Sequence, residues 1–305
     1  MKIGLIAGKS GEVLYKELKK RGEMVYLLAG KKEDSGVNIA LNKFVCDFEK
    51  KNEIEEYLKK NNVKEIVVGT GHLKAINLLE YLEMKGYKLS INLNEIKLCK
   101  DKHNLKSELI KLGYETPKYN LYKNIKEAEK ETAINFPCVL KSTIDIFPPS
   151  LIKNKEHLLK KIKEYQYLNT CVMLEEYVEG NEVSIPVVND GEEIKVLGIM
   201  NYSKGKDEKL EGFENLIVES LTTEEEEKVV DLSLKLIEKL KIHGLLRIDA
   251  IIKNKKMYIL EINGIIVTGE TNDDYTKIWK KKKMNFPENL VNCALKILKN
   301  KKEII

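Results

Sequence analysis

The sequence predicts an α/β amino-terminal domain followed by an α+β remainder. Two observations carry this. Residues 1 to about 95 alternate short apolar runs with amphipathic helical stretches, the pattern of parallel strands joined by helices. Past about residue 180 the strands come with hairpin turns, and one long helix stands apart from them. The chain has 305 residues, enough for two or three subdomains with real cores.

Ile3–Ala7 is an apolar strand, Gly8-Lys9-Ser10-Gly11 a tight turn, and Glu12–Arg21 a helix ended by Gly22. Met24–Ala29 is a second strand and Glu53–Asn61 a helix. Glu65–Val68 is a third strand, and Leu73–Lys85 a helix closed by Gly86. This alternation implies a small parallel sheet with helices on both faces. The GKSG turn offers backbone N–H groups and a helix N-terminus to an anion. It matches neither G-x-G-x-x-G nor G-x-x-x-x-G-K-[ST], and no acidic residue closes the second strand cleanly. A purely structural strand-to-helix turn therefore explains it equally well, and a dehydrogenase is disfavoured. Gly69-Thr70-Gly71-His72 falls at the C-terminal end of a strand, where open parallel sheets bind ligands. It is a candidate substrate contact, with helix capping as the plainer role for His72.

Asp101–Gly113 reads as a helix closed by glycine, and Pro117 stops any continuation. Phe136-Pro137 leads into the strand Cys138–Ser142, which carries Lys141 near its end. A lysine there needs a polar partner, either a phosphate or a nearby carboxylate. Lys153–Tyr165 is a helix, and Cys171–Tyr177 a strand ending in Glu175-Glu176. Gly180-Asn181-Glu182 turns into Val183–Val188, Asn189-Asp190-Gly191 forms a hairpin turn, and Lys195–Tyr202 returns. Tyr202–Gly212 is a charged loop containing glycine. Thr222–Lys241 is one long amphipathic helix, begun by Thr222 or Thr223 with glutamates in its first turn. Asn272–Lys282 and Glu288–Lys299 read as closing helices.

The stretch with most chemistry is Gly244–Asn263, GLLRIDAIIKNKKMYILEIN, two strands around a bend at Asn254-Lys255-Lys256. Arg247 and Asp249 are two apart and share a strand face, as do Glu261 and Asn263. Register decides whether the pairs meet. A two-residue turn at Asn254-Lys255 sets Asp249 opposite Leu260 and turns Glu261 away. A three-residue loop sets Asp249 opposite Glu261 and Arg247 opposite Asn263, with Cβ atoms roughly 5 Å apart. Two carboxylates and a carboxamide then converge beside a guanidinium. Like charges that close call for a cation, and hard oxygen ligands on a partly open site suit Mg²⁺, which also keeps phosphate oxygens. The plainer alternative is a solvated hairpin with charges on its outer face. The strongly apolar flanks, from Leu245 to Ile262, argue instead for a central hairpin, where carboxylates need partners.

Composition narrows the classes. At 43% hydrophobic and 33% charged residues the chain is globular rather than disordered. No apolar run approaches the roughly 20 residues of a membrane span. The start, MKIGLIAG, is broken by glycine too early for a signal peptide and reads as a buried strand. Five scattered cysteines (Cys46, Cys99, Cys138, Cys171, Cys293) without C-x-x-C spacing suit a reducing cytoplasm and no zinc site. Net charge is +5, but lysines are interspersed with acids, so no nucleic-acid stripe is expected. The runs Lys280–Lys283 and Lys299–Lys302 are expected to be solvated helix faces.

R-x-D (Arg247, Asp249), followed after a short turn by L-E-I-N (Leu260 to Asn263), resembles the metal-binding end of the ATP-grasp superfamily. Three further motifs follow the superfamily's order: D-K…G-x-x-x-P (Asp101, Lys102, Gly113, Pro117), F-P-x-V-L-K (Phe136 to Lys141) and L-E-E-Y-V-E-G-N-E (Leu174 to Glu182). The resemblance spans nearly the whole chain. It implies a Rossmann-like pre-ATP-grasp domain over 1–97. An ATP-grasp lid region with a linking helix would cover 98–178, and a C-terminal ATP-grasp domain with the metal site 179–305. By the same resemblance Lys102 and Lys141 would hold ATP phosphates. Glu175 and the backbone of Glu176 and Val178 would meet adenine, and Glu182 the ribose hydroxyls. Asp249, Glu261 and Asn263 would be ligands of Mg²⁺ or Mn²⁺, and Arg247 the catalytic arginine.

Two stretches depart from the family's pattern. After Lys141 a Gly/Ser-rich loop is usual, yet residues 142–150 (STIDIFPPS) hold no glycine, and prolines remove N–H donors. Ser142, Thr143 and Ser150 then supply the contacts, or the lid closes differently, or phosphate binding is weaker. Past Asn263 the run Gly264 to Thr271 is also unusual, which suggests an unusual acceptor substrate. The resemblance implies a cytoplasmic ATP-dependent ligase joining a carboxylate to an amine, amino-acid-like, through an acyl phosphate. The alternatives are a bicarbonate-activating carboxylase or carbamoyl-phosphate-type enzyme, and a non-catalytic ATP-binding regulatory protein. Small-molecule carboxylate and amine substrates are the expected partners, without nucleic acid or membrane. A homodimer is suggested by the resemblance alone.

Overall fold

The structure is a computed structural model describing residues 1–130, 135–202, 221–266 and 285–301. Its first sheet is parallel: β1 (Lys2–Ile6), β2 (Met24–Ala29), β3 (Asn42–Val45), β4 (Glu65–Val68) and β5 (Lys88–Leu89), in the order β3-β2-β1-β4-β5. Helices α1 (Gly11–Lys20), α2 (Lys51–Lys60) and α3 (Leu73–Met84) connect the strands. The expected parallel sheet is present, with two strands the sequence did not reveal. β3 is four residues long and largely exposed, and β5 is two residues long, so neither offers an apolar run. At the GKSG turn, Gly11 N–H donates to Gly8 O (3.2 Å) and Glu12 N–H to Ser35 Oγ (3.0 Å). A Cβ on Gly11 would stand 2.0 Å from Ser35 O, so close approach of the backbone explains this glycine. His72 caps α3, its Nδ1 accepting from Lys74 N–H at 3.3 Å.

Two further helices lead out of this sheet, α4 (Leu93–Lys100), which the sequence did not reveal, and α5 (Lys102–Lys111). Asp101 caps α5, accepting from Asn104 N–H at 3.0 Å. The second sheet is antiparallel: β6 (Tyr119–Tyr122), β7 (Cys138–Ser142), β8 (Ser150–Ile152) and β9 (Val172–Glu176), ordered β6-β9-β7-β8. Helix α6 (Lys155–Tyr165) packs on it through Leu158 and Ile162. Lys102 N–H, the first of α5, donates to Thr143 O just past β7 (2.9 Å), tying the helix to this sheet.

The third sheet holds β10 (Asn181–Asn189), β11 (Ile194–Val196), β12 (Met200–Tyr202), β13 (Gly244–Lys253) and β14 (Lys256–Asn263). The order is β11-β10-β13-β14, with β12 also on β10. The stretch Lys195–Tyr202 is two strands rather than one, meeting β10 on either side of Pro186. Proline has no N–H to give a ladder and sits where pairing breaks. Helix α7 (Thr223–Leu240) begins with a reciprocal cap: Thr222 Oγ1 accepts from Glu225 N–H (3.3 Å), and Glu225 Oε2 from Thr222 N–H (3.1 Å).

The β13–β14 connection corrects the three-residue loop. Lys253 pairs with Lys256, leaving a two-residue turn in which Asn254 and Lys255 have φ of 49° and 61°. That is the left-handed geometry which matches strand twist. Pairing runs regularly to Ala250–Ile259 and then slips by one, so Asp249 faces Glu261 and Arg247 faces Asn263. Leu260 is the extra residue of a β-bulge. The expected opposition is present, but the bulge produces it and not the loop.

Helix α8 (Phe286–Asn300) crosses back. Its Val291, Ala294 and Leu298 join α1 in covering one face of the first sheet, while α2 and α3 cover the other. Of the run Lys299–Lys302, Lys301 is not a solvated residue: its Nζ donates to Leu89 O (3.0 Å) and Ile91 O (2.9 Å) at the sheet edge. Most of the loop Tyr202–Gly212, the helix Asn272–Lys282, the run Lys280–Lys283 and the stretch from Val267 lie outside the described residues.

Candidate active site

Directly opposed residues of antiparallel strands share a face. Ser184 on β10 faces Asp249 on β13, which faces Glu261 on β14; beside them Arg247 faces Asn263. Glu182 faces Ile251, two residues from Asp249, and so lies on this face as well. The sheet thus gathers Glu182, Ser184, Arg247, Asp249, Glu261 and Asn263. The opposite face carries Ile248, Ala250, Ile259 and Ile262, all buried in the core.

Arg247 grips Asp249 with two donors, Nε at 2.9 Å and Nη2 at 2.6 Å from Oδ2. Asn263 Nδ2 lies 3.0 Å from both Asp249 Oδ2 and Glu261 Oε1. Ser184 donates to Asp249 Oδ1. The two carboxylates diverge electrostatically. Burial raises Asp249, Arg247 opposes this, Glu261 adds to it, and the carboxyl settles at about 6. Burial works against the charge of Glu261 too, but Lys102, Asn263 and Lys141 outweigh it and hold Glu261 well below the usual carboxylate range.

This donor set suits a hard divalent cation. Asn263 already puts a bridging donor between two carboxylates, where a cation would relieve their repulsion. Turning its amide would offer Oδ1 instead, and which way an amide points is assigned from its hydrogen bonds. Among the described residues no three of His, Cys, Asp and Glu cluster as a metal site. Two carboxylates and a carboxamide match an ion that takes its other ligands from phosphate and water.

A row of lysines stands against this pair. Lys102, nearly buried, ion-pairs with Asp145 and lies 3.4 Å from Glu261 Oε2. Burial disfavours its ammonium, but Glu261 and Asp145 prevail and raise its pKa. Lys141 Nζ is 2.9 Å from Glu175 Oε2. Glu175 is 1% exposed, and its Oε1 makes no hydrogen bond among the described residues. Glu176 is exposed, with its N–H donating to Lys118 O (2.9 Å) and its Oε1 accepting from Lys118 N–H (3.0 Å). Val178 is buried. Lys102 and Lys141 thus stand near the carboxylate pair, Glu175 lies behind Lys141, and Glu182 sits farther along the third sheet.

Three residues with a place in this site escaped the sequence reading. Lys106 is wholly buried and 3.3 Å from Glu175 Oε1; its i, i+4 spacing from Lys102 was the available signal. Ser184 could have been found by its parity with Glu182. Asp145 gave no signal, because a left-handed turn (φ 48°) brings it to Lys102. The glycine-free loop is a folded turn: Ser142 Oγ accepts from Ile146 N–H (2.8 Å), and buried Phe147 stacks on Tyr165 at 4.4 Å. The hydroxyl of Thr143 faces Cys171 O at 3.5 Å, so Ser142 and Thr143 are engaged within the second sheet and its own loop.

The family model of the ATP-grasp domain matches residues 99–269. The arginine-specific carbamoyl phosphate synthase large chain of Geobacillus stearothermophilus is 25% identical over 212 residues, 68% of this chain and 20% of that protein. The chain spans about a fifth of the length of the curated relatives it matches. D-alanine–D-alanine ligase from Bacillus anthracis, complexed with ATP, aligns with a TM-score of 0.72 at 19% identity, covering 99% of both chains. The biotin carboxylase domain dimer of Hydrogenobacter thermophilus 2-oxoglutarate carboxylase, with MgADP, ADP and bicarbonate, aligns with a TM-score of 0.76 at 17% identity. That alignment covers 96% of this chain and 69% of the other. At these identities the structural likeness speaks for the fold alone.

Proposed function

This chain belongs to the ATP-grasp family, and from that premise we propose that it is an ATP- and Mg²⁺-dependent ligase joining a carboxylate to an amine through an acyl phosphate. The observation that carries the reading is the meeting of Asp249, Glu261 and Asn263 on one sheet face, with Arg247 and the nearly buried Lys102 in contact with them.

Phosphoryl transfer asks a protein mainly for positioning and charge neutralisation. Bound Mg²⁺ would supply a Lewis acid that offsets charge on the transferring phosphoryl group. Asp249 and Glu261 would hold it, with Asn263 completing the protein's share. Lys102 and Lys141 neutralise the phosphates. Arg247, fixed by two hydrogen bonds to Asp249, stabilises the charge that develops on the phosphoryl group or on the oxyanion that follows. The buried carboxylate of Glu175, held as an acceptor between Lys106 and Lys141, suits the adenine amino group. The backbone of Glu176 and Val178 would meet the ring, and Glu182 the ribose.

The test is a coupled ADP-release assay with ATP and Mg²⁺ against pools of amino acids and small carboxylates, with and without bicarbonate. Release that needs a particular carboxylate and amine supports the ligase and names its substrates. Release that needs bicarbonate alone would replace it with a bicarbonate-activating enzyme. That second reading is favoured by the carbamoyl phosphate synthase likeness. ATP binding without release under any condition would favour a nucleotide-binding regulator.

A further inference from the structure

Lys106 is fully buried, at 0% exposure, and its ion-pair partner is Glu175, not one of the two carboxylates that would hold the metal. Its surroundings are specific. Nζ donates to Thr116 Oγ1 at 2.6 Å, lies 3.3 Å from Glu175 Oε1, and sits 5.8 Å from the centre of the Tyr119 ring. Thr116 gives its own hydroxyl hydrogen to Ile259 O at 2.8 Å, so its oxygen is oriented to accept from Lys106. Glu175 thereby stands between two ammonium groups, Lys106 on Oε1 and Lys141 on Oε2. Only Lys141 keeps some exposure, 11% of its side chain against none for Lys106.

One carboxylate needs one counter-ion, and a second buried ammonium is expensive to desolvate. The arrangement makes sense if the two lysines have different duties. In the function proposed above Lys141 turns to the nucleotide phosphates. Without Lys106, Glu175 would then be a buried carboxylate lacking a counter-ion, prone to take up a proton and become a donor. A protonated Glu175 could satisfy a 6-oxo purine as readily as a 6-amino one. An ionised Glu175 only accepts, and so suits the amino group alone.

We infer that Lys106 is the standing counter-ion of Glu175, a positioning residue that keeps it an acceptor and so sets the preference for adenine over a 6-oxo purine. The side chain never touches the base; it acts through Glu175. This rests on the ATP-binding reading above. The cation itself is held by geometry: Thr116 and the face of Tyr119 both favour an ammonium in that place. Burial lowers its pKa to about 8 against the pull of Glu175, which still leaves it mostly charged at neutral pH.

The experiment measures affinities of the full chain for MgATP and MgITP by titration calorimetry, in wild type, Lys106→Met and Lys106→Arg. Methionine fills similar volume without charge, and circular dichroism and thermal unfolding check that each variant folds. Wild type is expected to favour ATP over ITP by about 100-fold or more, as a site built to bind one group rejects its analogue. In Lys106→Met the ratio is expected to fall at least about tenfold, and Lys106→Arg should retain most of it. Should the methionine variant not fold, Thr116→Val replaces it, with a reduced ratio again expected because Lys106 loses its anchor. An unchanged ratio in a folded variant, equal loss in the methionine and arginine variants, or a wild type that binds ATP without discriminating ITP each overturns the inference and leaves the ATP-binding reading standing. A wild type that binds neither nucleotide removes both.

Discussion

Asp145, in the loop between β7 and β8, forms an ion pair with Lys102 at the start of α5. The lysine side chain is 5% exposed and the aspartate 65%, so the acid is the partner free to leave. In the proposed function the ATP phosphates compete with it for Lys102. Asp145→Ala is therefore expected to tighten ATP binding roughly two- to fivefold, the range of a partly exposed pair. Calorimetric titration with MgATP reads this directly, and weaker binding in the variant would show that Asp145 helps to hold the nucleotide.

The carboxylate pair gives the largest expected effect. Asp249→Asn combined with Glu261→Gln should abolish ADP formation. Arg247→Met should raise the barrier by ~2–4 kcal/mol, the cost of losing one electrostatic donor at a transition state. Both variants should fold, since neither substitution touches the apolar face of the sheet. Turnover at the wild-type rate in the double variant would rule out the metal assignment.

A pH prediction follows from Asp249, raised to about 6 from an ordinary 3.8. Its folded pKa exceeds its unfolded one, so its contribution to stability is fully present below about pH 4 and is lost as pH rises to 6. At the proposed metal site Mg²⁺ would need the ionised form and would compete with that proton. Mg²⁺-dependent ATP binding should accordingly weaken as pH falls through about 6, by up to tenfold per pH unit for one proton. Titration at pH 5 to 7.5 checks it, and a flat profile counts against Asp249 as a ligand.

Helix α7 allows a test of local stability away from the site. Thr222→Ala removes the hydroxyl that accepts from Glu225 N–H. The loss should be about 1 kcal/mol, within the usual range for a cap. Denaturant unfolding followed by circular dichroism measures it, with no change expected in nucleotide affinity.

Much of this fold was legible because its signals are local. Thr222 and Glu225 announce the α7 cap, and apolar runs mark β1, β2, β4 and β7. The strands β3 and β5 and the helix α4 were missed because they are short or weakly patterned and owe their form to neighbours. The carboxylate pair was legible as composition and parity, but its register was not. A bulge at Leu260 depends on the curvature of the whole sheet, which no run of side chains announces. Lys106 escaped for a related reason. A lysine in a charged helix reads as solvated until the packing of Thr116, Tyr119 and Glu175 closes over it.

Helix α8 has a consequence for the order of events during synthesis. The strands of the first sheet are complete by Leu89, long before α8 begins at Phe286, yet Val291, Ala294 and Leu298 share with α1 the covering of one of its faces. A nascent chain must therefore carry part of this apolar face uncovered until α8 has been made. That surface is a natural place for a chaperone to hold the growing polypeptide. It also means that messages cut short before α8 yield a sticky product, while the carboxylate-bearing hairpin has already been made.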